Sequence, residues 1–191
     1  VREDVEEVPG GARIQVGRGL VEDEDVRRHG QHRGNGDGAF FTAGQPVGRA
    51  VAQMLDAGLN VGIGTDGAAS NNKLDMFAEM RLAALLAKGA SGRADVLPAH
   101  KALQMATINA AKAIGQQNET GSLVAGKAAD MIAVDLAAIQ TAPCYDVISH
   151  LVYAASREQV THVWVNGELR VENGRLSKLD THELLAKARY W

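Results

Sequence analysis

The stretch GLNVGIGTDG, residues 58–67, limits the fold more than any other in the chain. Its apolar side chains run without a charge, the pattern of a short strand buried on both faces, and such strands belong to parallel sheets. Ahead of it, VGRAVAQMLDA (47–57) sets Val47, Val51, Met54 and Leu55 at helical spacing, and Gly58 stands where a helix stops. A helix, a glycine stop and a buried strand make an α/β unit. Ligands of such units gather beyond the carboxyl end of the strand, and Thr65 and Asp66 occupy that end.

At this level Asp66 has two readings. Asp-Gly is a common way for a chain to leave a strand. A carboxylate at the mouth of an α/β barrel can also bind a metal or carry a proton. Spacing does not choose between them. Ser70, Asn71 and Asn72 lie close behind, where they can hydrogen-bond Asp66 or a substrate, or cap the helix that follows.

That helix is LDMFAEMRLAALLAKG (74–89). Leu74, Phe77, Met80 (or Arg81) and Ala84 form one face, Leu82, Leu85 and Leu86 widen it, and Gly89 closes it. Pro98 suits the first turn of PAHKALQMA, and Thr107 can cap INAAKAIG, which ends at Gly115. Past residue 118 the pattern tilts to β. Two glycine turns lead into the apolar strand Met131–Val134, and THVWVNGELRVENGRL offers two apolar runs joined at Asn166-Gly167, a strong hairpin signal. Asp180 and Glu183 form a capping-box pattern ahead of a terminal helix.

Residues 1–44 have a different character. They hold no lysine and a single leucine, Leu20, and GRGLVEDEDVRRHGQHRGNGDG shows neither helical nor strand periodicity. A segment this polar and glycine-rich buries little surface against its ordering entropy, so disorder is its expected state. The chain therefore divides into the atypical segment 1–44, an α/β portion 45–118, a β portion 119–176 and a helix 177–191.

Net charge of −3 gives no broad basic field for nucleic acid. The single cysteine, Cys144, excludes an internal disulfide framework and fits a reducing compartment. No apolar run approaches the roughly 18 residues of a membrane span. The expectation is a cytoplasmic protein with a small-molecule partner, no nucleic acid and no membrane, able to form a homo-oligomer.

Four segments occur here in one order: GTDGAASNNKLDMFAEMRLAALLAK, ALQMATINAAKAIG, GSLVAGKAADMIAVD and HVWVNGELRVENGRL. Together they resemble the amidohydrolase superfamily, in its branch of chlorohydrolases and aminopurine deaminases, over residues 47–191. Within that branch, YDVISHLVYAASREQVTHVWVNG is most similar to the deaminases of 5-methylthioadenosine and S-adenosylhomocysteine. The resemblance implies an α/β fold, the C-terminal portion of a metal-dependent-hydrolase (β/α)8 TIM barrel with part of a flanking small β-sandwich domain. It implies that Asp66, at the end of the last barrel strand, is both a ligand of one divalent metal ion, zinc or iron, and the acceptor of a proton from the metal-bound water. Gly121, Gly126, Lys127 and Asp130 then mark turns of the small β-domain, and Asn166 with Gly167 its hairpin.

The resemblance also shows what the chain lacks. The family takes its other ligands from earlier strands: a His-x-His pair on the first and one histidine each on the fifth and sixth, with a catalytic glutamate on the fifth. Ahead of the 47–57 helix the family has a His-Cys-Pro-like strand followed by Ser-Asn, whereas this chain has HRGNGDGAFFTAGQPVG. Of its six histidines, His29 and His32 have the wrong spacing. His100 reads as an exposed helical residue, His150 as a structural one, His162 as preceding a strand, and His182 as a solvated start of the final helix.

A closed eight-stranded barrel takes roughly 250 residues, and the chain has 191. The expectation is thus a truncated chain with an incomplete ligand set and an aberrant first segment, as from a shifted reading frame. By family it is a hydrolase of non-peptide carbon–nitrogen bonds, deaminating an adenosine-type substrate. The alternatives are a triazine or chloro-ring hydrolase, and an inactive remnant that pairs with a fuller partner.

Overall fold

A computed structural model of the chain describes residues 14–16, 19–21, 38–41, 45–69 and 71–189. Strands β1 (Ile14–Val16), β2 (Gly19–Val21) and β3 (Gly38–Phe41) precede helix α1 (Gln45–Asp56) and strand β4 (Asn60–Ile63). β3 and β4 are parallel, in register from Gly38↔Asn60 to Phe41↔Ile63, and α1 crosses between them. The α/β unit expected around residues 47–66 is therefore a β3–α1–β4 unit. β1 and β2 continue the sheet antiparallel, in the order β2-β1-β3-β4.

Three of these strands, β1, β2 and β3, fall within the segment 1–44. Each pairs its backbone groups with a neighbour, which is what a short strand needs to persist, whatever its side-chain pattern. The rest of that segment lies outside the described residues, as do His29 and His32.

β4 carries Val61, Gly62 and Ile63 buried in succession, so both of its faces are covered. On one side lie the buried Ala50, Val51 and Met54 of α1. The longest helix, α2 (Met76–Ser91), packs against α1. Its buried residues are Phe77, Glu79, Met80, Ala83, Ala84 and Ala87. The expected face is present at Phe77, Met80 and Ala84, but Leu74 and the leucines expected to widen it are not all part of it: Leu74 is 50% exposed, Leu82 41% and Leu85 53%. The helix also runs past Gly89. It ends at Gly92, whose backbone N–H bonds the Lys88 carbonyl. One interior glycine costs a helix only about 1 kcal/mol, and the Lys88 ammonium secures the last turn by donating to the carbonyls of Val96 and Leu97, each at 2.8 Å.

Helices α3 (Ala99–Ala106) and α4 (Ile108–Ala113) follow. Pro98 stands at the cap position of α3 rather than inside its first turn. Thr107 does not cap α4 with its side chain; its hydroxyl donates back to the Leu103 carbonyl at 2.7 Å. α4 packs under β3 and β4, where Asn60 Nδ2 donates to the Asn109 carbonyl at 3.0 Å.

A second sheet is antiparallel throughout, in the order β5 (Met131–Val134), β6 (Val160–Val165), β7 (Glu168–Glu172) and β8 (Arg175–Leu176). Between its first two strands lies α5 (Val147–Tyr153), which adds Val152 to the core of α1, α2 and α3. The expected hairpin is present. Asn166 (φ 50°) and Gly167 (φ 77°) are both left-handed, as a two-residue turn matching the strand twist requires. Asp130 accepts from the Asn166 amide at 2.6 Å. Lys127 fixes the preceding turn by donating to the carbonyls of Gln117 and Thr120. Asn173-Gly174 repeats the hairpin signal between β7 and β8, a turn the strand pattern alone did not reveal. The last helix, α6 (Thr181–Ala188), is capped by Asp180, which accepts from His182 and Glu183 amides. Among the described residues no helix is long and apolar enough to cross a membrane.

Candidate active site

Gly64 and Thr65 carry the chain from Ile63, at the carboxyl end of β4, to Asp66. Asp66 is exposed and has φ 60°. Among L residues, Asp and Asn reach this left-handed conformation most readily because the short side chain bonds local backbone. Here Asp66 Oδ1 accepts from the Gly67 amide at 2.8 Å, and Thr65 Oγ1 donates to the Asp66 carbonyl at 3.1 Å. The chain thus turns sharply off the strand and leaves the carboxylate at its rim. In this geometry Asp66 makes the turn of the first sequence reading, and its carboxylate lies past the carboxyl end of β4.

The loop behind it is held by Asn71, which the sequence singled out, and by Glu79, Asp75 and Arg157, which it did not. Asn71 Nδ2 donates to Glu79 Oε1 at 2.6 Å, and Asn71 Oδ1 accepts from the amides of Lys73 (3.2 Å) and Leu74 (3.0 Å). The cap of α2 is Asp75, buried and accepting from Phe77 (3.0 Å) and Ala78 (3.2 Å) amides, not one of the Ser70–Asn72 cluster. Ser70 lies outside the described residues. Leu74 is a second left-handed residue, φ 49°. From the 3₁₀ turn Arg157–Gln159, Arg157 Nη1 donates to the Lys73 carbonyl at 2.8 Å. Glu79 could have been found: it falls on the apolar stripe of Met76, Met80 and Ala83, where a carboxylate needs a partner.

His100 on α3 and His182 on α6 are exposed. His150 Nδ1 is 3.0 Å from the Asp146 carbonyl, a satisfied structural position as expected. His162 lies within β6 rather than ahead of it, its ring stacked on Trp164 at 5.6 Å and 12°. Carboxylates held below their ordinary range are Asp95 beside Arg93, Asp146 beside Ser149, Glu158 beside Ser156 and Glu168 beside Lys178, none of them on the Asp66 loop.

A zinc centre of the catalytic kind takes three or more protein ligands. Among the described residues no group of three or more His, Cys, Asp or Glu side chains could hold a metal ion. Asp66 offers one carboxylate, and the described residues do not make up a complete centre around it.

Residues 45–170 match the amidohydrolase family. The 5-methylthioadenosine/S-adenosylhomocysteine deaminase of Moorella thermoacetica is 53% identical over 137 residues, 72% of this chain and 32% of that protein. The 5'-deoxyadenosine deaminase of Methanosarcina acetivorans is 48% identical over 139 residues, 73% of this chain and 32% of that protein. The chain spans about a third of the length of these curated relatives. Among solved structures, an adenosine deaminase from Xanthomonas campestris with bound zinc aligns with a TM-score of 0.75 and 41% identity, over 80% of this chain and 36% of that one. The zinc complex of atrazine chlorohydrolase TrzN from Arthrobacter aurescens aligns with a TM-score of 0.68 and 32% identity, over 73% of this chain and 31% of that one. The expected architecture, barrel portion followed by part of a small β-domain, is thus present in the β3–α1–β4 unit with its helices and in the β5–β8 sheet.

Proposed function

Because the chain belongs to the amidohydrolase family, we propose that it supplies the Asp66-bearing rim of a metal-dependent hydrolase that deaminates an adenosine-type nucleoside. The observation that carries this reading is the exposed Asp66 carboxylate just past the carboxyl end of β4, beside a parallel neighbour strand. In the proposed reaction Asp66 accepts a proton from the water that adds to the ring carbon bearing the amino group. The proton then passes to the departing nitrogen, so that ammonia leaves and a ring carbonyl remains.

The zinc bound in the Xanthomonas campestris enzyme supports a divalent ion, zinc or iron, with Asp66 as one oxygen ligand. The remaining ligands would come from groups other than the described residues. Adenosine-type substrates are supported by the names of the Moorella and Methanosarcina relatives. The chlorohydrolase likeness, at 32% identity, supports a triazine less well than 53% identity supports a 5'-modified adenosine.

Metal analysis paired with ammonia release from 5-methylthioadenosine tests the proposal, on this chain and on a longer parent containing it. Stoichiometric metal and ammonia in either sample supports the hydrolase. Metal-free, inert protein in both leaves the remnant as the correct reading.

A further inference from the structure

The loop between β4 and α2 has one end in solvent and the other anchored in the helical layer. Asp66 and Leu74, both left-handed at φ 60° and φ 49°, bracket it. Such residues persist only where their surroundings over-determine them. Asn71 supplies that restraint on both sides. Toward Leu74, its Oδ1 accepts from the Lys73 and Leu74 amides at 3.2 and 3.0 Å. Toward Asp66, its backbone N–H donates to the Gly67 carbonyl at 2.9 Å, and the Gly67 amide in turn donates to Asp66 Oδ1 at 2.8 Å.

Asn71 is itself fixed from below. Its Nδ2 donates to Glu79 Oε1 at 2.6 Å, and Glu79 is 7% exposed on the core face of α2, next to the buried Met80. A bond to a buried carboxylate is stronger than one between neutral groups, and breaking it leaves the desolvated oxygen to be satisfied again. Glu79 moves only with α2, so the position of Asn71 is tied to the most extensive helix of the core.

We propose that Asn71 and Glu79 form a positioning pair that sets the Asp66–Gly67 turn, so that the direction of the Asp66 carboxylate is fixed from α2. The inference rests on the reading of Asp66 as the site carboxylate, but the geometry it requires can be measured without turnover.

The test uses amide hydrogen exchange and amide ¹H–¹⁵N shifts of the full chain. Asn71→Asp keeps an acceptor for the Lys73 and Leu74 amides while setting a second carboxylate against Glu79. It should speed exchange at the position-71 amide by about tenfold or more and move the Gly67 amide resonance, with Ala83, Ala84 and Ala87 keeping their protection. Glu79→Gln retains an acceptor oxygen and should change exchange by no more than about threefold. Joining Asn71→Asp to Glu79→Gln restores a donor–acceptor pair of reversed direction, and protection should return.

Unaltered exchange at position 71 and an unmoved Gly67 resonance in Asn71→Asp overturn the pair. So does a double variant no better than the single one. Should the single variant fail to fold, recovery of folding and of the Gly67 resonance in the double variant supports the pair, and its absence counts against it. In a longer parent that releases ammonia, Asn71→Asp should lower kcat about 10- to 100-fold at constant KM, with recovery in the double variant. Absence of ammonia release in any sample removes the hydrolase reading, and the exchange data then judge the pair alone.

Discussion

Arg81, on α2, donates through Nε to the carbonyl of Val152 at 3.2 Å and through Nη2 to that of Ala155. These carbonyls lie at the C-terminal end of α5, where a helix runs out of its own donors and favours a cation. The guanidinium thus joins the helix behind the Asp66 loop to the segment leading into β6. Arg81→Ala should lower the unfolding free energy by about 1–3 kcal/mol, as the acceptor carbonyls of the buried Val152 and Ala155 lose a charged donor. Arg81→Lys should recover only part of this, since an ammonium lacks the planar fork. Urea unfolding of the two variants checks both the size and the order.

Gly121 and Gly89 should respond to alanine with opposite signs. Gly121 has φ +82°, and a Cβ there would stand 2.7 Å from Ala111 Cβ and 3.0 Å from Ile108 Cα, on α4. Left-handed strain and overpacking together set the cost of Gly121→Ala at roughly 2–4 kcal/mol. Gly89 lies inside α2 with nothing within 4 Å of its would-be Cβ. Gly89→Ala should raise stability by about 0.5–1 kcal/mol through helix propensity alone. Calorimetric melting of both variants should shift in opposite directions.

This contrast also marks how far the sequence could be read. Signals that act within a few residues were legible: the Gly58 stop, the strand of β4, the Asn166-Gly167 turn and the Asp180 cap each depend on local backbone chemistry. Which of two glycines ends α2 was not, because Gly89 or Gly92 is chosen by Lys88 reaching carbonyls of a later loop. The core face of α2 was legible at Phe77, Met80 and Ala84, whose spacing is helical, whereas Leu82 and Leu85, expected to widen it, are exposed and Ala83 and Ala87 are buried instead. At the candidate site, the place of Asp66 just past the end of β4 was legible from the strand and the Asp-Gly turn. The Asn71–Glu79 bond was not, since the place of Glu79 on the apolar stripe says that it needs a partner and not which residue of the preceding loop supplies it. β1 to β3 escaped notice because strands this short carry almost no periodicity.

Substitutions at Asp66 should separate chemistry from folding. Asn tolerates the left-handed backbone and keeps a local acceptor, so Asp66→Asn should change stability by no more than about 0.5 kcal/mol. Asp66→Ala should cost about 1 kcal/mol more, because φ 60° disfavours alanine. In a parent that releases ammonia both should lose on the order of 10³-fold or more in kcat/KM, the scale of an essential acid–base group that also binds metal. A near-normal rate in either variant would contradict the assignment, whatever the melting curves show.

The acid limb of stability should report on the cap of α5. Asp146 is held below the ordinary carboxylate range by Ser149, through its side chain and its amide, with His150 adding to the effect. The amide bond to Oδ1 is 2.6 Å. A depressed folded pKa means that the unfolded chain binds the proton first as pH falls. The stabilisation is therefore complete above the unfolded value and is lost as pH drops through the folded one. Asp95, Glu158 and Glu168 are lowered too and share this limb, so the wild-type curve alone does not isolate Asp146. Asp146→Asn does. Asparagine caps helices as well as aspartate, so stability near neutral pH should change little, while the fall below the ordinary carboxylate range becomes shallower. Urea midpoints of both proteins from about pH 7 to about pH 2 give the comparison. Parallel curves would mean that the Asp146 carboxylate is no better held in the folded chain than in the unfolded one.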